Sequence, residues 1–217
     1  MHHTMHPLAA VAAALSLVPV LAHAGLILDT GTPPVGATQE SLSTSQWFAA
    51  EFAIGAGETV TGLSAFLSQG AGQPGDTYTL DIFSASGFTG RLSSGTQVLD
   101  YTTTGTFTNN GTGSGAWNTT SADWTAATGG DYWLALEVTS TSQTRGLDLL
   151  TTANNGIAPA LAFAYYNSSG TNGSFTTAGA PAVGLQVTAV PLPSAIWLLG
   201  GGFLGLGACL RRRQVPV

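Results

Sequence analysis

The chain has no lysine and a single cysteine, and its four histidines (His2, His3, His6 and His23) all lie within the opening segment. Beyond His23 there is no imidazole, no lysine amine and, until Cys209, no thiol. Ser-His-Asp and Cys-His nucleophilic catalysis, Schiff-base chemistry and ordinary zinc sites all need one of these groups, so none is expected in the body of the protein. A lone cysteine also excludes an intrachain disulfide, which leaves packing to hold the fold. Charge is scarce: 7% of the 217 residues are charged, for a net charge of -6. The arginines are Arg91, Arg145, Arg211, Arg212 and Arg213, whereas all 11 acidic residues fall between Asp29 and Asp148. A central region with only Arg91 and Arg145 against those acids repels phosphate backbones, so nucleic acid is not an expected partner.

What is present divides the chain into three parts, with boundaries expected at residues 1–24, 25–189 and 190–217. The first carries an apolar run from Leu8 to Leu21, short for a membrane span, followed by Ala22-His23-Ala24. Small residues at Ala22 and Ala24 are what a signal peptidase inspects, so this part reads as a signal peptide cut after Ala24. The last part is VPLPSAIWLLGGGFLGLGACLRRRQVPV. From Ser194 to Leu210 it holds no charge, and as a helix its roughly 17 residues would reach about 25 Å, enough for a short span. Gly200, Gly201, Gly202, Gly205 and Gly207 suit lipid better than a soluble helix. Arg211, Arg212 and Arg213 then form a stop-transfer cluster held in the cytoplasm. Cys209 reads as a small apolar residue of that segment.

Between the two ends lie short apolar or alternating runs: 46–54 (QWFAAEFAI), 59–67 (TVTGLSAFL), 77–83 (TYTLDIF), 97–102 (QVLDYT), 132–139 (YWLALEVT), 160–166 (ALAFAYY) and 183–188 (VGLQVT). Alternation is plainest in TYTLDIF, which sends Tyr78, Leu80 and Ile82 one way and Thr79, Asp81 and Phe83 the other. Turn chemistry separates the runs, at 70–76, Asn109-Asn110-Gly111, Gly129-Gly130-Asp131 and Asn154-Asn155-Gly156. These features predict an all-β fold, an antiparallel β-sandwich of jelly-roll type. The low-complexity stretch 102–121 reads as a long loop or a weak edge hairpin. The sequons at Asn110, Asn118, Asn167 and Asn172 read as turns.

The remaining catalytic option is a carboxylate pair, with Asp76, Asp81, Asp100, Asp123, Asp131, Glu137 and Asp148 as its pool. Asp76 and Asp131 suit turns, and Asp81 and Glu137 suit outward strand positions, so structural roles are expected and an enzyme is not. No cofactor is implied, although calcium held by carboxylates and loop carbonyls is compatible with an exported sandwich. Trp47 and Trp133, inside strands, are expected in the core. Trp117 and Trp124, in the polar region, are the candidates for contact with a glycan.

Val190-Pro191-Leu192-Pro193-Ser194, the apolar run with Trp197, and Arg211 to Arg213 together resemble the PEP-CTERM sorting signal of Gram-negative bacteria, in a V-P-L-P variant with Leu192 in place of the glutamate. The resemblance implies export, a single-pass membrane intermediate, cutting near the proline motif by an exosortase, and delivery to the cell surface or an exopolysaccharide matrix such as a biofilm. More loosely, QWFAAEF and GGDYWLALEV are similar to the choice-of-anchor β-sandwich domains that accompany such signals, which implies a fold and no reaction. The expected partners are therefore signal peptidase, exosortase and the membrane. The expected function is that of a non-enzymatic surface or matrix protein, with a carbohydrate-binding module as the alternative.

Overall fold

Strand formation follows the apolar alternation. The computed structural model describes residues 23–68, 77–85, 99–107, 115–138, 145–148, 150, 155–167 and 175–191, within a compact unit spanning Ala22–Leu192. Among these residues the elements in chain order are β1 (Gly25–Asp29), β2 (Gln39–Leu42), β3 (Gln46–Ile54), β4 (Thr59–Leu67), β5 (Thr77–Ser84), β6 (Leu99–Thr106), β7 (Ala116–Thr125), β8 (Gly130–Glu137), β9 (Arg145–Asp148), β10 (Phe163–Asn167), β11 (Phe175–Thr176) and β12 (Leu185–Val190). The first sheet runs β1-β12-β4-β7 and the second β11-β10-β3-β8-β5-β6, while β2 and β9 make a separate two-stranded ribbon. Every strand pair is antiparallel.

The main core lies between the two large sheets. Val60, Leu63, Ala65, Leu67, Leu185 and Val187 of the first sheet meet Phe48, Phe52, Leu80, Ile82, Leu134 and Leu136 of the second, all but fully buried. This is a β-sandwich, and its eight principal strands are wired as a jelly roll. Taken in chain order, the first, last, third and sixth form one sheet, and the second, seventh, fourth and fifth lie side by side in the other. The β3–β4 connection is a tight turn in which Glu58 N–H donates to Gly55 O at 3.2 Å. Gly57 there adopts φ 79°, a left-handed angle that glycine takes without steric cost.

Period-2 alternation holds where it was plainest. Tyr78, Leu80 and Ile82 of β5 enter the main core, and Phe83 joins a second cluster on the opposite face. That second cluster, with Ala49, Trp133, Ala135, Ala164 and Tyr166, makes the central strands of the second sheet apolar on both faces. Trp133 is buried there, and the half-buried Trp47 stacks on Tyr166 at 4.6 Å.

Three readings change. The stretch 102–121 is neither one loop nor one hairpin, because β6 is an edge of the second sheet and β7 an edge of the first, so the chain crosses between sheets there. The inward side of β7 mixes Ala122 and Trp124 with polar residues, Asn118 Nδ2 donating to Ala116 O at 2.9 Å and Thr120 Oγ1 lying 3.2 Å from the Tyr78 hydroxyl. That polarity hid the strand. Asn118 is accordingly a buried strand residue, not a turn. Strands β1, β2, β9 and β11 were not anticipated, and β10 begins three residues later than the apolar run that marked it. The turn stretch at 70–76 and the signal-peptide residues Ala22 and below lie outside the described residues, as do the sorting-motif residues from Leu192 onward and Arg211, Arg212 and Arg213. Among the described residues no helix is long and apolar enough to cross a membrane.

Candidate functional site

Two places stand out: a carboxylate pair on the second sheet, and the end of the first sheet where the chain leaves the sandwich.

Of the acidic pool, Asp81 and Glu137 come together. Thr79 is opposite Glu137 and Asp81 opposite Ala135, so the two carboxylates are diagonal neighbours on one face of the β5–β8 ladder. Diagonal positions of this kind are about 7–8 Å apart at Cα, within side-chain reach. They do point away from the main core, as strand position suggests, but that face is covered: Asp81 is 7% and Glu137 6% exposed. Asp81 Oδ1 and Glu137 Oε1 have no hydrogen-bond partner. Burial pushes the Glu137 carboxyl up to about 8, and the neighbouring charge of Asp81 adds to the rise. Asp81 is raised by burial to about 6, with a hydrogen bond to Thr102 pulling the other way. Burial and mutual repulsion thus favour a proton kept within the pair over two buried charges.

This geometry is poorly suited to glycoside hydrolysis, which requires an acid and a carboxylate facing each other across an open cleft. Among the described side chains the other acids do not complete such a site. Asp123, Asp131 and Asp100 are exposed, burial raises the carboxyls of Glu51 and Asp100, and Asp76 and the side chain of Asp148 lie outside what the structure describes. Among the described residues no three potential metal ligands converge. A shallow hollow of about 260 Å³ near Ser84, Thr128, Asp131 and Tyr132 brings in one of these carboxylates, Asp131.

Trp117 and Trp124 sit at opposite ends of β7 and on opposite faces. Trp117 is half-buried, its Nε1 donating to Thr32 Oγ1 at 3.1 Å and its ring edge-on to Phe66 at 5.5 Å. Trp124 packs against the main core, edge-on to Tyr132 at 5.1 Å. The two rings do not share a platform.

At the sheet end, β12 is an interior strand, flanked by β1 on one side and β4 on the other. Ala189 is opposite Gly25 of β1 and Val60 of β4, and Val190 is opposite Thr59. Pro191 follows, exposed and without an N–H, which ends the ladder for a chemical reason. The expected signal-peptide cut and the proline motif thus border one pair of adjacent strand ends. Short-range sequence patterns gave no sign of that long-range pairing; the one local signal was Pro191 as a strand terminator.

The bonds around Asp29 close this part of the fold. Asp29 Oδ1 accepts from Gly31 N–H at 3.2 Å and Gln186 Nε2 at 3.0 Å, and Oδ2 accepts from Ile157 N–H at 3.1 Å. A buried carboxylate ringed by donors is a structural clamp that ties β1, β12 and the segment before β10 together.

No curated protein and no solved structure matches the chain. A family model does, and its match opens inside β12, at the rung where Ala189 meets Gly25 and Val60. Residues 189–213 match the PEP-CTERM protein-sorting motif, and the chain thus carries the mark of an exported protein, anchored in the membrane and processed by an exosortase.

Proposed function

We propose that this chain is a non-enzymatic display protein: a jelly-roll domain carried out of the cell by a signal peptide cut after Ala24, held by the apolar segment from Ser194 to Leu210, then released to the cell surface or an exopolysaccharide matrix. The observation that carries the reading is the direct junction of β12 with the sorting motif, which couples a folded domain to a processing signal without a spacer. Support for a non-catalytic role comes from the lack of histidine, lysine and cysteine between Gly25 and Ala189, and from the buried placement of the one carboxylate pair, Asp81 and Glu137. The test is the intact mass of the protein recovered from cells and medium of the native host, with and without its exosortase. Loss of the tail near Pro191 to Ser194 only in the strain with exosortase supports the reading; an intact tail in both strains overturns it.

A second reading, a module that binds exopolysaccharide, draws on Trp117, half-buried on the outer face of the first sheet with hydroxyls nearby, where Ser64 Oγ and Thr119 Oγ1 lie 2.9 Å apart. Trp124, spent on core packing, supports it less. Glycan-array binding that disappears in Trp117→Ala would favour this reading, and no binding by the unaltered protein would count against it.

A further inference from the structure

The first sheet is not uniform along its length. Register shifts fall between Leu26 and Leu28 in the β1–β12 ladder, between Thr188 and Ala189 in β12–β4, and between Val60 and Gly62 in β4–β7. They line up as a row across all four strands, leaving Ile27 and Thr61 as extra residues on either side of β12. Bulges of this kind interrupt the ladder locally. Beyond the row, β12 is held by Thr188 opposite Leu26 on the β1 side, by Ala189 opposite Gly25 and Val60, and by Val190 opposite Thr59. The main-core residues Leu185 and Val187 lie on the other side of it.

An enzyme that cuts near the proline motif must also bind chain on the upstream side, and extended substrates are commonly held by strand-like main-chain pairing. In the folded sandwich that chain is taken: both edges of β12 at Ala189 are already paired, and the ladder ends at Val190. We propose that the sheet end bearing Gly25, Thr59 and Val190 is the surface presented to the processing enzyme, and that Ala189 and Val190 peel away from β1 and β4 to become the upstream part of its substrate strand. The bulge row is the hinge, so peeling lifts one small core residue of β12, Ala189, and stops before Leu185 and Val187 are disturbed. The inference rests on the sorting reading above, and it adds the surface that the enzyme meets and the conformation that it takes.

The test is a cross-link. Thr59→Cys and Val190→Cys, placed directly opposite each other in an antiparallel pair, are introduced into the full chain together with Cys209→Ala, and tail loss is followed in the native host. Oxidised protein is expected to be cut at least tenfold more slowly than the same protein kept reduced. A second variant adds a flexible Gly/Ser spacer of about eight residues between Val190 and Pro191, supplying unpaired chain without opening the sheet. With the spacer, the cross-linked protein is expected to regain the rate of the unaltered chain. Equal cutting of oxidised and reduced protein overturns the proposal, as does a cross-linked spacer variant that stays uncut while remaining resistant to limited proteolysis. If the unaltered chain keeps its tail in the presence of exosortase, the sorting reading itself has failed and this inference falls with it; an unaltered chain that is cut separates the two cases.

Discussion

Replacing Glu137 by glutamine is expected to flatten the pH dependence of stability. In the folded protein the Glu137 carboxyl is pushed up to about 8 from an ordinary 4.5, so it keeps its proton over a range in which the unfolded chain has released it. Its contribution is therefore present in full below about pH 4.5, falls as pH rises, and is lost once pH passes the folded value. At about 1.4 kcal/mol per pH unit, that range corresponds to about 5 kcal/mol. Asp81, raised to about 6 from 3.8, adds about 3 kcal/mol of the same sign over a lower range. Domains of this size have a stability of about 5–15 kcal/mol, so alkaline solution should bring the protein close to unfolding. Glutamine has the shape of the protonated acid and no proton to lose. Its unpartnered amide costs the same at every pH, which makes the slope the readout. Urea midpoints at pH 5, 7 and 9, followed by tryptophan fluorescence on the segment 25–191, should fall with pH for the unaltered protein and fall much less for Glu137→Gln. A gap of at least about 2 kcal/mol in favour of the variant is expected at pH 9 relative to pH 5. Parallel slopes would refute the assignment of a buried, proton-holding Glu137.

Asp29→Ala leaves the amides of Gly31 and Ile157 and the Gln186 side chain without their acceptor, and should cost about 2–4 kcal/mol in the same urea assay. Gly156→Ala drives a new Cβ into the carbonyl of Asp29, which is backbone and cannot swing aside, so a loss of about 2–4 kcal/mol is expected. Gly62→Ala is the matched control: its nearest neighbour, Thr188 Cβ, is 3.7 Å away, and the change should lie within about 0.5 kcal/mol. Trp117→Ala should remove any glycan binding while leaving the fluorescence-detected unfolding cooperative, because the ring packs on Phe66 outside the main core.

Legibility in the sequence tracked how locally each feature is encoded. The boundaries of β3 and β4 were readable to the residue, since QWFAAEFAI and TVTGLSAFL are apolar runs bounded by polar or glycine residues. The sorting motif was readable because it is linear: proline motif, apolar run and arginines occur in order. β7 was not, because its core-facing positions include Asn118 and Thr120, whose polar atoms are satisfied by partners that a local window does not contain. The Asp81–Glu137 pair was half legible. Strand parity placed both on the face away from the main core, and Phe83, Trp133 and Ala135 at the same parity were the available hint that this face is apolar and covered. The pairing of Gly25 with Ala189 joins residues at opposite ends of the domain, and no periodicity encodes it.

That last pairing also bears on how such a domain travels between proteins. Once both flanking segments are removed, the new ends of the chain would sit side by side on neighbouring strands, about 5 Å apart as antiparallel partners are. A body whose ends meet behaves as a cassette. It can be opened elsewhere and closed through a short peptide at this point, or set into a surface loop of a host protein, without strain on either side. The same property lets evolution exchange the address labels at the two ends while the sandwich between them stays as it is.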